Sequence, residues 1–426
     1  MGFVVFQEKL KMASRLKTFI SSNKRIFESI SYLSVIQILT MLLPFLTYPY
    51  LIKIFGLALY GQIMLSQAVV SYVAIFVNFG FNISAAKSVS EVIDNDKEVN
   101  KLCSAIFIVK SIIWIFVAFI YLISVWVIID DKISRVLYIT AFTLTFNEFL
   151  VAQWFYQAKE SLKVIAISSI ATKLLNVILI FSLIHSKNDY YLVSLITGSC
   201  FLLAGIFSIH HMFKYHVRFI WHWYEHMIKV TRDSINLFLT SAIIAIKNKL
   251  DVILIGVFIS NEAVAIYDFA QKILNILLLP ITIINNAVFP KMNREKNKTF
   301  LKKLLFIMLS FSMSYTVIAA VILPFVMHYI FVVTHDSIEI TRLLMCAAIC
   351  FSLSLTLAQN GLIVFNYTKL HLFGMISTTL LYLTVMLIGY PLGFLNNVYY
   401  FVYTSLFLFT YEVVYRFAFC RWKNII

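Results

Sequence analysis

The chain has 426 residues and a formal net charge of +15, with 61% of its residues hydrophobic and only 13% charged; its mean hydropathy is +0.88. A soluble globular domain carries about 45–50% apolar and about 25% charged residues, so this composition excludes a soluble enzyme and predicts an all-α integral membrane protein.

A bilayer-spanning helix needs about 20 mostly apolar residues, and twelve such segments follow one another along the chain. Six occupy 30–52, 60–83, 102–129, 133–155, 164–185 and 191–212. Six more occupy 235–259, 265–289, 304–331, 343–365, 370–392 and 398–419. The chain thus divides into an arm (1–29), a six-helix lobe (30–212), a linker (213–234), a second six-helix lobe (235–420) and a tail (421–426). Neither the arm nor the linker can bury a core of its own, which leaves no room between them for a soluble ATPase, glycosyltransferase or receptor domain. In the arm, Lys9, Lys11, Arg15, Lys17, Lys24 and Arg25 follow an apolar start. A signal peptide has the reverse order, and Met12 offers an alternative initiator.

The charge sorts by side. With twelve spans, the two termini and the loops after even-numbered spans hold 24 of the 35 Lys and Arg residues, and the remaining loops hold five. Cytoplasmic loops are the Lys/Arg-rich ones, so both termini are expected in the cytoplasm. The excess positive charge then reflects topology and anionic lipid, not nucleic acid. The five cysteines fall in or beside apolar segments, without the paired spacing of a metal site, and no cofactor is implied.

The two halves share a short pattern. Phe55-Gly56-Leu57-Ala58-Leu59-Tyr60-Gly61, between spans 1 and 2, resembles Glu262-Ala263-Val264-Ala265-Ile266-Tyr267-Asp268, between spans 7 and 8. Duplicated bundles with a site at the repeat interface are a recurrent transporter plan. The linker, with Tyr215, Phe219, Trp221, Trp223 and Tyr224 among basic residues, reads as an interfacial amphipathic helix.

Two enzyme-like motifs fail on context. Gly56-Leu57-Ala58-Leu59-Tyr60-Gly61-Gln62 has phosphate-loop glycine spacing but glutamine where a lysine must reach the phosphates. His222-Trp223-Tyr224-Glu225-His226 matches an inverted zinc-protease pattern, yet the linker offers neither a third ligand nor a folded pocket. The informative residues are charges within spans, because a central Lys or Asp costs about 2.5–3.5 kcal/mol to insert and so tends to face a cavity. They are Lys110, Glu148, Lys173, Lys247, Lys249, Asp251, Asp268, Lys272, Glu412 and Arg416, with Lys53 near the outer end of span 1. Lys247–Asp251, Asp268–Lys272 and Glu412–Arg416 are spaced for intrahelical pairs; Lys110, Lys173 and Lys249 have no such explanation. Six basic and four acidic groups make a mildly cationic interior, better suited to an anionic than to a cationic substrate. Pro44, Pro49, Pro280 and Pro324 mark bends or cavity walls in the same helices.

The sequence resembles the Wzx-type O-antigen flippases of the multidrug/oligosaccharidyl-lipid/polysaccharide exporter superfamily. The matching stretches are Leu43-Pro44, Tyr48-Pro49-Tyr50-Leu51, Phe55-Gly56 with Tyr60-Gly61, Asn78-Phe79-Gly80-Phe81-Asn82 and Trp154-Phe155-Tyr156-Gln157-Ala158. A longer one runs from Leu250-Asp251 and Gly256 through Tyr267 and Pro280 to Phe289-Pro290. The resemblance implies two six-helix lobes around a central cavity, alternating access, and an undecaprenyl-diphosphate-linked oligosaccharide as substrate. It places the protein in a bacterial inner membrane, with a polysaccharide polymerase and a chain-length regulator as candidate partners. Spans 1, 2, 7 and 8 face the cavity in that superfamily. That raises Lys53, Lys247, Lys249, Asp251, Asp268 and Lys272; with Lys173 of span 5, the lysines are expected to serve the translocation cavity, and Glu148, Asp251 and Asp268 are the ion-coupling candidates. The rival readings are a drug/cation antiporter of the same superfamily, which favours an acidic cavity, and a polysaccharide polymerase, which carries a large periplasmic loop.

Overall fold

The computed structural model describes residues 42–220, 224–330 and 335–426, and every regular element among them is helical. α1 (Pro44–Asn78) opens with a proline in its first turn, where a missing N–H costs nothing. It breaks at Gly56, whose φ of 76° and ψ of 170° only glycine adopts without strain. That break lies where the turn between spans 1 and 2 was predicted; 30–41 lie outside the described residues. Phe79 and Gly80, both at positive φ, turn the chain into α2 (Phe81–Glu91). α3 (Asp96–Ile128) is capped by Asn95 and carries Asp96 and Glu98 in its first turn, where the helix dipole favours acids.

The fourth span is not one helix. α4 (Lys132–Ala141) passes through a 3₁₀ turn (Phe142–Thr145) into α5 (Phe146–Leu150). The chain is then non-helical at Val151 and Ala152 before α6 (Gln153–Ala158). Open backbone at membrane depth must find partners inside the protein. Here the Ala152 N–H donates to Ser208 Oγ at 3.1 Å, and the Tyr156 hydroxyl donates to the Ser208 carbonyl at 2.6 Å. α7 (Leu162–Leu183) and α8 (Leu192–Met212), which carries Ser208, complete the first half. Ser208→Ala leaves a buried N–H without its acceptor, at a cost of about 1–3 kcal/mol. A lowered melting temperature of the purified protein is the expected result.

The second half comprises α9 (Tyr224–Phe258), α10 (Asn261–Glu295), α11 (Lys298–Ile330), α12 (His335–Thr356), α13 (Thr368–Gly389) and α14 (Val398–Trp422). A π-helical stretch, Leu357–Ile363, prolongs α12. Among the described residues nine segments are long and apolar enough to cross a membrane. α9 and α14 have the length as well, at 35 and 25 residues. Charges sit in the middle of α9, and tyrosines with Glu412 and Arg416 dilute the apolarity of α14.

α12 packs against α10, α11 and α14, α7 lies beside α8, and the halves meet where α1 runs along α9 and α10. The largest apolar core crosses both halves, from Leu51 and Ile63 through Phe269 and Ile281 to Leu344 and Phe401. Two smaller cores, around Trp154 and Phe155 and around Met292 and Cys420, gather segments next to the Lys/Arg-rich loops. From Tyr224 onward the predicted linker is the opening of α9, and it packs on the first half. His226 Nε2 lies 3.1 Å from Glu98, the hydroxyls of Ser234 and Ser84 are 2.6 Å apart, and Phe238 stacks on Phe79. Of the His222–His226 motif, His222 and Trp223 lie outside the described residues. No cluster of three or more His, Cys, Asp or Glu side chains is placed to hold a metal among the described residues, and all five cysteines are free.

Candidate functional site

The two stretches that resemble each other in sequence pack against each other in space. A Cβ at Gly61 would lie 1.7 Å from the Asn261 carbonyl oxygen, and one at Gly256 would lie 2.7 Å from the Leu65 methyls. At Gly61 only a bare Cα allows α1 to approach the backbone of α10 so closely, and Gly256 gives α1 the same room beside α9. Beside this contact the Tyr48 hydroxyl donates to the Ala265 carbonyl at 2.9 Å. The Tyr48 ring meets Tyr60 edge-on at 4.8 Å and Phe269 at 5.2 Å. This seam joins the halves where the break in α1 meets the start of α10.

Next to the seam lie two cavities. The larger, of about 970 Å³, is walled by α9, α10, α12, α13 and α14. The smaller, of about 350 Å³, is walled by α1, α7 and α8 and is lined by Gln67, Ser71, Thr172, Lys173, Asn176 and Thr197. Four residues line both: Pro44, Val252, Asp268 and Lys272. At that shared wall Lys272 Nζ pairs with Asp268 one turn earlier on α10 at 2.5 Å and donates to the Tyr60 hydroxyl across the seam at 3.2 Å. It also sits over the rings of Tyr48 and Tyr60, at 4.8 and 5.6 Å from their centroids, where the π-face attracts a cation. An acid and two aromatic faces thus surround a lysine that is only partly buried and lines both cavities.

Also on the wall of the larger cavity, Asp251 on α9 receives hydrogen bonds from two buried tyrosines. Tyr267 donates to one carboxylate oxygen and Tyr382 to the other, each at 2.7 Å, and Gln271 donates to the Tyr267 oxygen at 3.0 Å. Both carboxylate oxygens are thus held by fixed donors, an arrangement that stabilises a buried acid.

The expected site residues fall into three groups. Lys272 and Asp268 form the shared wall, Lys173 lines the smaller cavity and Asp251 the larger. Lys53 is exposed and lines neither. Glu148 also lines neither; it accepts from Asn78 and from Asn147, the latter at 3.0 Å. Lys110 is fully buried and, among the described residues, its Nζ has no hydrogen-bond partner. The side chains of Lys247 and Lys249 lie outside the described residues. Two features were not anticipated from sequence. The tyrosines around Lys272 and Asp251 carry no charge signal, and His371 lines the larger cavity together with Glu412 and Arg416, which the spacing had marked only as an intrahelical pair.

The model of a family described as polysaccharide biosynthesis protein matches residues 26–296. A protein of Escherichia coli (strain K12) named "Putative O-antigen transporter" is 27% identical over 286 residues, which cover 65% of this chain and 68% of that protein. A protein of the same name from Shigella dysenteriae is 25% identical over 267 residues, covering 62% of this chain and 66% of its own length. Among solved structures, the lipid II flippase MurJ in an inward closed conformation superimposes with a TM-score of 0.70 at 14% identity, covering 92% of this chain and 86% of that one. A MOP superfamily transporter from Pyrococcus furiosus Vc1 gives 0.63 at 13% identity, covering 93% and 95%. At such identities the structural likeness speaks for the fold alone.

Proposed function

Because the chain belongs to the polysaccharide biosynthesis protein family, we propose that it is a flippase for lipid-linked oligosaccharides. It carries undecaprenyl-diphosphate-linked repeat units of O-antigen or a related polysaccharide from the cytoplasmic to the periplasmic leaflet of a bacterial inner membrane, by alternating access. The observation that carries this reading is the shared wall. A lysine–aspartate pair stands between two cavities, one in each half, beside a seam that holds the halves shut at one end.

The Lys/Arg distribution assigns both termini and the basic loops to the cytoplasm. The seam then lies toward the periplasm, and the state is one that loads from inside. In this mechanism the diphosphate draws Lys272 away from Asp268 and Tyr60, which weakens the seam as the substrate settles. Lys173 supplies a second positive charge from the smaller cavity, and Lys247, Lys249 and Lys53 enter on the sequence argument alone. A dianion moving outward gains roughly 4.6 kcal/mol per 100 mV of inside-negative potential, at about 2.3 per charge, so membrane potential suffices as a driving force. Asp251, Asp268 and Glu148 are the groups available to carry a coupling ion.

Deletion of the gene tests the reading. Loss of surface polysaccharide, with single lipid-linked repeat units accumulating on the cytoplasmic leaflet, is the expected result. Repeat units that reach the periplasm unpolymerised would identify a polymerase, and normal polymer with altered drug sensitivity a drug/cation antiporter. Lys272→Gln should lower export about tenfold or more, the loss of one buried charge-assisted contact, at an unchanged amount of folded protein in the membrane. Normal export in that variant removes Lys272 from the mechanism.

A further inference from the structure

The larger cavity has a second polar station. Along α13, His371 precedes Tyr382 by eleven residues, and along α14, Ser405 precedes Arg416 by eleven. At 1.5 Å per residue each interval is about 16 Å. Tyr382 binds Asp251, and Ser405 lies 3.5 Å from the Tyr267 hydroxyl, so the Asp251 station marks one end of both intervals. Their other ends also meet: the Tyr415 hydroxyl donates to the Leu370 carbonyl at 3.0 Å, which brings the first turn of α13 beside Arg416. Leu372, Met375, Ile376, Leu408 and Phe409 line the wall between the two stations.

At this far corner Arg416 is 6% exposed. Its Nη1 donates to the Ser354 carbonyl at 2.9 Å and to the Ser354 hydroxyl, and its Nη2 lies 3.2 Å from Glu412. The Ser354 hydroxyl in turn donates to Glu412 at 2.8 Å. These contacts use at most three of the five guanidinium donors. The second observation is His371. Its Nδ1 is buried and, among the described residues, has no hydrogen-bond partner. Buried polar groups almost always find partners, so an unpartnered ring nitrogen beside an arginine with donors to spare, both on a cavity wall, has the composition of an anion site. Guanidinium favours phosphate because its planar fork matches two oxygens at once.

We propose that Arg416 and His371 form a binding site for a phosphate-class anion at the end of the larger cavity opposite the Asp251 station, with Glu412 and Ser354 positioning the guanidinium. This rests on the export reading for the anion's source: the diphosphate of a lipid-linked sugar engages this corner on entry, while its sugars reach toward Asp251.

The test is equilibrium binding of radiolabelled inorganic diphosphate to the purified full chain in phosphatidylcholine nanodiscs. Neutralising the shared wall first, as Asp268→Asn with Lys272→Gln, and Lys173 of the smaller cavity, as Lys173→Gln, leaves the corner as the site read in the larger cavity. Adding Glu412→Gln with Arg416→Gln removes both partners together, so no unpaired charge is left behind, and gel filtration with a melting curve confirms folding. Affinity is expected to fall about tenfold or more, and His371→Gln in the same background to weaken it about threefold. Undiminished binding after removal of the pair, or no diphosphate binding in the shared-wall background, overturns the proposal. Competition then separates sources. Displacement of the label by farnesyl diphosphate identifies a prenyl diphosphate, displacement by phosphatidylglycerol in the disc identifies a lipid headgroup, and displacement by inorganic phosphate alone identifies a free anion. Each of these supports the site. Binding is read without transport, so a failure of the export reading in the deletion strain leaves this result standing, and the reverse holds too.

Discussion

Gly61→Val is expected to abolish export. A Cβ at this position would stand 1.7 Å from the Asn261 carbonyl oxygen, 2.6 Å from its carbon and 3.3 Å from the Ala265 nitrogen. All three are backbone atoms at the start of α10, so no side chain can rotate aside to make room. Overpacking in a well-filled interior typically costs about 1–3 kcal/mol, and a rigid helix backbone at the contact places this case at the upper end. The two halves must part, and the Tyr48–Ala265 and Tyr60–Lys272 hydrogen bonds part with them. Cys200 supplies a native reporter, because it lines the smaller cavity and is only 1% exposed. A membrane-impermeant thiol reagent added from the periplasmic side should label Cys200 in Gly61→Val about tenfold faster than in the parent. Gly56→Ala is the contrast. A Cβ there meets nothing within 4 Å, so its penalty is backbone strain alone, about 1–3 kcal/mol, and the seam stays closed to the reagent. Equal labelling of parent and Gly61→Val would show that the seam is not the barrier.

Asp251→Ala is the most destabilising single substitution expected in the larger cavity. It leaves the hydroxyls of Tyr267 and Tyr382, both at most 1% exposed as residues, without the carboxylate that accepts from each at 2.7 Å. Each stranded buried donor costs about 1–3 kcal/mol. Tyr267 retains its contact with Gln271, so the total should be about 2–4 kcal/mol. Tyr267→Phe and Tyr382→Phe remove a donor and leave an acceptor that keeps one partner, so each should cost about 1 kcal/mol. The pair of tyrosine substitutions should cost less than their sum, because the three groups form one network. Melting of the purified variants reads these differences. An unchanged melting temperature in Asp251→Ala would mean that Asp251 contributes charge but no stability.

Hydropathy located the helices because a lipid-facing segment has to be apolar along its whole length. It could not show that the fourth span breaks at Val151–Ala152, since the repair comes from Ser208, far along the chain. Spacing foresaw two of the three intrahelical ion pairs that it proposed: Asp268–Lys272 and Glu412–Arg416 both form. Asp251 accepts from two tyrosines, and the side chain of Lys247, its proposed partner, lies outside the described residues. The intramembrane charges do not share one environment. Lys110 is buried but lines neither cavity, and Lys53 is exposed and lines neither. The aromatic cage of Lys272 was not legible at all. Its parts are 212 residues apart in the chain, and a tyrosine that contacts a lysine looks in sequence like any tyrosine in an apolar helix. The similar motifs near Gly56 and Tyr267 did carry information, though of an unforeseen kind: they mark the surfaces by which the halves touch.

In the proposed mechanism the shared wall links the two compartments thermodynamically. Lys272 cannot neutralise an anion on both sides at once, and when it turns toward one side it leaves Asp268 as a bare negative charge facing the other. Occupancy of one compartment therefore weakens the affinity of the other for an anion, and by reciprocity the second weakens the first by the same factor. On that mechanism a single lysine on α10 would impose a one-at-a-time rule on charged cargo, a second anion following only after the first has released it.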